Sequence, residues 1–276
     1  MQGRLSPLVD GHIQAFPWST WKDEFSIAEH NNLRLMEWTL DQERVYENPL
    51  LTEQGQAEIQ NLCRRYGIGI PSLTGDCFMQ APFWKAGAAQ GKELQDDFLA
   101  IAKACANVGI SMIVVPLVDN GCLDTREQED ALVEFLQVKS PFFAANGLRV
   151  IFESDFAPDE LARFIDRLAP DLFGINYDIG NSAALGFRPQ EEFAAYGARI
   201  VNVHVKDRVL GGTTVPLGTG SADFDAVFSE LSRIEYQGNF ILQTARAGEG
   251  NHAGALRTYR DMTVQWMRKH HICHAT

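Results

Sequence analysis

The chain has 276 residues, 45% hydrophobic and 22% charged, a balance that fits a globular protein with a large core and excludes a disordered chain. A formal net charge of −12 at pH 7 would repel a phosphate backbone, which argues against nucleic acid as a partner. Five scattered cysteines without a C-x-x-C pair read as reduced structural thiols, and no stretch approaches the roughly 18 uninterrupted apolar residues of a membrane span.

The opening MQGRLSPLVDG lacks a basic segment followed by an apolar run, so it does not read as a secretory signal, and a cytoplasmic location with no membrane partner is expected. Residues 1–5 form a short first strand candidate, followed by a helical pattern over 20–31. From there short apolar runs alternate with amphipathic ones. Strands are predicted at 33–38, 68–73, 110–116, 148–153, 173–178, 200–205 and 239–243. Helices are predicted between and after them at 52–66, 92–107, 126–145, 158–168, 190–196, 224–233 and 253–269. Gly67, Gly109 and Gly147 each stand where a helix should stop and a strand begin.

Strands separated by helices imply parallel pairing, leaving a closed eight-stranded barrel or an open doubly wound sheet. No G-x-G-x-x-G follows an early strand, which removes the main support for a dinucleotide-binding sheet. Eight units and no Pro, Ser or Gly-rich linker favour one (β/α)8 TIM barrel over residues 1–276, with a C-terminal helix and tail over 255–276.

Strands buried on both faces should be apolar, because an unpaired buried polar group costs about 1 to 3 kcal/mol. Four successive late strands break that rule at their ends: Glu153 in RVIFESD, Asp178 in GINYDIGN, His204 in IVNVHVKD and Gln243 in NFILQTAR. In a barrel all four ends meet at the mouth where active sites of this fold are built. Strand alternation puts Asn202, His204 and Lys206 inside, and Asn239, Ile241 and Gln243 on one face of the last strand. Two carboxylates, one imidazole and one amide oxygen suit one divalent ion, with Mn2+ preferred and Mg2+ or Co2+ as alternatives. Such an ion would hold neighbouring substrate oxygens and stabilise an enediolate as a proton leaves the adjoining carbon.

The order of Glu153, D-x-G-N at Asp178 to Asn181, H-V-K-D at His204 to Asp207, and V-P-L-G-T-G-S-A-D-F at Val215 to Phe224 resembles the xylose isomerase-like barrel family of sugar-phosphate isomerases and epimerases. The opening QGRLSP and the segment FPWSTWKDEFSIAEHNNLRLMEWTLD are similar to its N-terminal region. The resemblance implies a metal-dependent isomerase or epimerase of carbohydrate metabolism acting on a small sugar or sugar phosphate. It also implies Glu153, Asp178, His204 and Gln243 as metal ligands, and a homodimer or homotetramer as the assembly.

Many members carry a second glutamate where this chain has Gln243, and glutamine cannot act as a carboxylate base. Glu153 could then serve as a single base for an aldose to ketose shift. Epimerisation would need a second acid, with Lys206, Asp76 and Glu249 as candidates. Glu153 and Lys206 are taken as catalytic; Glu37, Asn181, Lys206 and Arg246 as substrate-binding, with Arg4 and Arg208 as further anion-binding candidates. A metal-dependent lyase or dehydratase on the same barrel, or a sugar-binding relative without catalysis, remain as alternatives.

Three weaker features complete the reading. The loop LGTGS (217–221) offers amides to an anion, or is only a tight turn. Phe78, Phe83 and Trp84 wall a sugar ring, or belong to the core, a lid or an oligomer contact. The tail HHICHAT, with His270, His271, Cys273 and His274, matches no structural zinc spacing and reads as a solvated end.

Overall fold

Apolar runs of four to six residues become the parallel strands β1 (Leu35–Thr39), β2 (Gly69–Thr74), β3 (Met112–Leu117), β4 (Arg149–Ser154), β5 (Phe173–Asp178) and β6 (Ile200–Val205). A small hairpin, β7 (Asp207–Arg208) and β8 (Thr214–Val215), precedes the last of them, β9 (Asn239–Leu242). The amphipathic segments become α1 (Asp23–His30), α2 (Glu53–Tyr66), α3 (Asp76–Gln80), α4 (Ala88–Val108) and α5 (Arg126–Ala145). They continue with α6 (Pro158–Ile165), α7 (Ile179–Leu185), α8 (Pro189–Tyr196), α9 (Phe224–Arg233) and α10 (His252–Lys269). The computed structural model describes residues 1–9 and 11–272.

The seven strands pair in the order β1-β2-β3-β4-β5-β6-β9, every step parallel, and β9 returns beside β1. The result is a nearly closed TIM barrel in a single domain. Helix ends follow the glycine signals: Gly67 and Gly109 adopt φ of 62° and 88°, left-handed positions that side-chain-bearing residues disfavour. Between strands and helices lies an aromatic and aliphatic layer. Phe98 of α4 packs against Phe135 and Phe143 of α5 at ring separations of 5.4 and 6.1 Å, all three buried. Burial of each such side chain contributes about 1.5 to 3 kcal/mol.

The eighth strand expected at residues 1–5 is not a strand. Gly3 has φ 81°, which interrupts extended geometry. The amides of Gly3 and Leu5 donate to the two carboxylate oxygens of Glu24 in α1, at 2.8 and 3.0 Å, and are lost to a ladder. The segment still bridges the seam: the Gln2 amide donates to Glu37 O at 2.9 Å, and the Met1 ammonium to Leu242 O at 3.3 Å. Beside it runs a mainly apolar cavity of 690 Å3, bounded by Met1, Met36, Phe240 and Leu256 and separate from the polar residues described below.

Phe78, Phe83 and Trp84 belong to the core and not to a sugar-facing wall. All three are buried, Phe78 stacking on Phe98 at 4.4 Å and Phe83 meeting Phe135 at 4.8 Å. Among the described residues no helix is long and apolar enough to cross a membrane. His270 pairs with Asp225 at 2.7 Å, while Cys273 and His274 lie outside the described residues.

Candidate metal centre

Each polar strand end is positioned by the backbone before its chemistry begins. Asp178 closes β5 and caps α7, its Oδ1 accepting from the Asn181 amide at 2.8 Å, which leaves Oδ2 turned to the barrel axis. In the sheet Asp178 stands opposite His204 on β6 and Glu153 opposite Pro116 on β3. Gln243 follows β9 directly and is held by its amide bond to Val205 O at 3.1 Å. The parity expected of β6 holds: Asn202 and His204 enter the axial cluster, while Val203 and Val205 join the apolar core.

Glu153, Asp178 and His204 converge, one ligand atom from each lying within 4.8 Å of the others, and all three are buried. His204 Nε2 meets Glu37 Oε1 at 2.8 Å. On the opposite side of the ring, Nδ1 stands 3.1 Å from Glu153 Oε2 and 3.8 Å from Asp178 Oδ2. Despite that proximity Nδ1 lacks a hydrogen bond of usable geometry. Burial opposes protonation of this imidazole, but Glu37, Asp178 and Glu153 outweigh it and lift the pKa well above the ordinary value. Burial would likewise raise Glu37, yet His204 and the Ser72 hydroxyl hold it below the usual carboxylate range.

An amide network fixes the carboxylates. Asn176 and Asn181 donate to Glu153 Oε2 and Oε1 at 3.1 and 2.7 Å, Asn202 donates to Asn176 Oδ1 at 2.7 Å, and Ser72 donates to Glu37 Oε2 at 2.7 Å. Glu37 is fully buried behind His204 and does not line the mouth. Lys206 Nζ lies 3.3 Å from Asp178 Oδ2, 3.2 Å from Asn181 Oδ1 and 3.0 Å from Gln243 Oε1, tying Gln243 to the cluster. Lys206 and His204 keep the Asp178 carboxyl below its usual range against burial.

This donor set fits a divalent cation. The carboxylates around the ring favour its protonated form, and a cation at Nδ1 would take the place of one proton while Glu37 holds the other on Nε2; Nδ1 is a buried nitrogen without a hydrogen bond among carboxylate oxygens. Two carboxylates supply the balancing charge.

Above the cluster lies a cavity of 410 Å3, lined by Glu153, Asn181, Lys206 and Gln243 with Asp76 and Arg208. Arg246 is not in that lining; it donates to Ser6 O and Ile13 O at 2.5 and 3.2 Å. Arg4 is buried, donating to Ile13 O and Gln14 Oε1, with burial lowering its pKa to about 10. Within LGTGS the Gly218 and Gly220 amides are already taken. Asp207 accepts from Gly218, Gly220 and Ala222 at 2.9, 2.9 and 3.1 Å, so a resident carboxylate occupies the place considered for an external anion.

Sequence reasoning missed Gln14 and Asn176. Asn176 shares the parity of Asp178, a usable signal; Gln14 comes from a loop and leaves none.

A profile of the xylose isomerase-like TIM barrel family matches residues 25–270. SgbU of Haemophilus influenzae, provisionally named an L-ribulose-5-phosphate 3-epimerase, is 24% identical over 244 residues, 81% of this chain and 83% of that one. An inosose dehydratase of Bacillus cereus is 27% identical over 153 residues, 47% of this chain; the match spans about half of that enzyme's length. Among solved structures, IolI protein with a bound zinc atom superposes with a TM-score of 0.75 at 18% identity, covering 90% of this chain and 93% of that one, a likeness of fold.

Proposed function

The chain belongs to the xylose isomerase-like TIM barrel family, and on that premise we propose that it is a divalent-metal-dependent isomerase or epimerase of a small sugar or sugar phosphate. The observation carrying this reading is the convergence of Glu153, Asp178 and His204 on one point, with His204 Nδ1 left open by the Glu37 bond to Nε2. Gln243 is the fourth donor, through Oε1. Mn2+ is the ion to test first, with Mg2+, Co2+ and zinc as alternatives, zinc being the ion in the related IolI structure. Bound there, the cation supplies Lewis-acid stabilisation of negative charge on substrate oxygens.

The remaining chemistry falls to side chains. Glu153 lines the cavity and is aimed by the Asn176 and Asn181 amides, which supports its role as the base that takes a proton from the carbon next to a carbonyl. Loss of that proton sends the electron pair into the carbonyl, giving an enediolate. Lys206, bonded to Asn181 and Gln243, holds its ammonium beside the developing charge, and Asn181 and Arg208 bound the space for substrate hydroxyls or phosphate. Glu37 and Arg246 do not reach that space; Glu37 acts by orienting His204. The inosose dehydratase relative supports a second reading, loss of water after the same proton abstraction.

The test is solvent exchange. With Mn2+, a panel of ketoses, aldoses and their phosphates in deuterated water is expected to gain deuterium next to the carbonyl, and chelation should stop it. No exchange with any of them would overturn the reading, and formation of a dehydrated product would favour the lyase.

A further inference from the structure

The mouth holds a second buried carboxyl that stands apart from the cluster. Asp76, the first residue of α3, follows β2 and is 6% exposed. It lines the same 410 Å3 cavity as Glu153 and Gln243. In the strand order β2 and β4 are separated by β3, so Asp76 and Glu153 reach the shared cavity from different strands.

Its geometry is fixed from one side. Gln14 Nε2 donates to Asp76 Oδ2 at 2.7 Å, and Gln14 Oε1 accepts from Gln243 Nε2 at 3.1 Å and from Arg4 Nη2 at 3.2 Å. Asp76 is therefore two hydrogen bonds from the position where this chain carries an amide in place of a carboxylate. Its Oδ1 has no hydrogen bond among the described residues. Burial raises the carboxyl to about 7; Gln14 opposes the shift, while Asp41, Glu153 and Glu37 add to it. A group so placed is available both as acid and as base near neutral pH.

The other carboxyls are placed less well. Asp119 and Asp155 line the cavity but are exposed, and Glu249 is exposed and outside the lining. Lys206 is engaged with Asp178, Asn181 and Gln243.

We propose that Asp76 is the second acid and base of the site, acting on the face of the substrate carbon opposite Glu153 and making epimerisation the reaction served. The inference rests on the isomerase or epimerase reading above. In the forward direction Glu153 takes the proton as the C–H bond breaks, and the electron pair forms the enediolate. The Asp76 O–H bond then breaks as its proton forms a new C–H bond on the opposite face, and the carbonyl returns. Glu153 ends protonated and Asp76 ionised; exchange of both with solvent resets the pair without any oxidant or reductant.

The test compares wild type and Asp76→Asn, both with Mn2+, on L-ribulose 5-phosphate, D-fructose and related ketoses in deuterated water. Deuterium uptake and inversion at the same carbon are followed by NMR, together with Mn2+ affinity and melting temperature. Asparagine keeps an oxygen for Gln14. The variant is expected to bind Mn2+ within about twofold of wild type and to exchange at a comparable rate, while inversion falls by roughly 100-fold or more.

Inversion unchanged in Asp76→Asn would overturn the assignment, as would loss of exchange in a variant that still binds Mn2+. If Asp76→Asn melts below the assay temperature, Asp76→Glu decides: exchange kept with slowed inversion supports the role, and unchanged inversion overturns it. Absence of exchange in the wild type across the panel would instead overturn the isomerase reading itself.

Discussion

His204 Nε2 and Glu37 Oε1 lie 2.8 Å apart with both side chains fully buried, joining residues 167 positions apart in the chain. The bond selects which imidazole nitrogen is left for a cation. In Glu37→Gln the carboxylate charge goes while the shape stays, so the tautomer is no longer dictated. Mn2+ affinity is expected to fall about 10- to 100-fold, read by calorimetric titration. Equal affinity in the variant would show that Glu37 does not set the ligand.

Lys206 supplies the ammonium that neutralises Asp178 and donates to Gln243 Oε1. A cation entering at those oxygens must work against that charge. Lys206→Met should therefore bind Mn2+ more tightly, by roughly tenfold or about 1.4 kcal/mol, while lowering the melting temperature without metal. Weaker Mn2+ binding in the variant would place Lys206 outside the electrostatics of the site.

Asp207 is fully buried and satisfies three backbone amides of the loop after β8. Asp207→Ala leaves those donors unmet, and a loss of about 2 to 4 kcal/mol in denaturant unfolding is expected. A change under about 0.5 kcal/mol would show that the loop is held by something else.

Glu129 on α5 accepts both guanidinium nitrogens of Arg163 at 2.8 and 2.7 Å and pairs also with Arg167, clamping α5 to the α6 region. The Arg163 hydrogen bonds, with Arg167 and Arg126, outweigh burial and lower its pKa from 4.5 to about 2. A folded pKa below the unfolded one gives stability that is complete above about pH 4.5 and fades as pH falls toward about 2. Glu129→Gln should cost about 1 to 2 kcal/mol at pH 7, since the arginines remain partly solvated. The difference from wild type should shrink between about pH 4.5 and 2 in pH-dependent unfolding; a difference independent of pH would contradict the assignment.

Much of this fold is written in the spacing of apolar runs. β5 and β6 begin and end where the alternation predicts, because a strand buried on both faces leaves few ways to place Phe173 to Asp178 or Ile200 to Val205. Residues 1–5 defeat the same logic: extended-looking side chains do not reveal that Glu24 takes the Gly3 and Leu5 amides. Two short helices, α3 and α7, also escape a periodicity search, being only five and seven residues long. The α7 start was nonetheless encoded in Asp178, which caps it, and its end in Gly186 at φ 77°.

At the site, strand parity brings Glu153, Asp178 and His204 together, since inward positions of adjacent parallel strands must meet at one end of a barrel. Parity cannot say which inward side chains bond to which. It leaves Glu37 equally able to face substrate or imidazole, and it is blind to Gln14, whose loop position follows from packing across 229 residues to Gln243.

The most direct test of the central claim is a crystal of this protein soaked in Mn2+ and measured for anomalous scattering at the manganese edge. Coordination by these residues predicts one strong peak about 2.0 to 2.6 Å from Glu153, Asp178 and His204 Nδ1, with Gln243 Oε1 as a fourth contact. A fully occupied peak elsewhere, or none at these residues at saturating Mn2+, would contradict it.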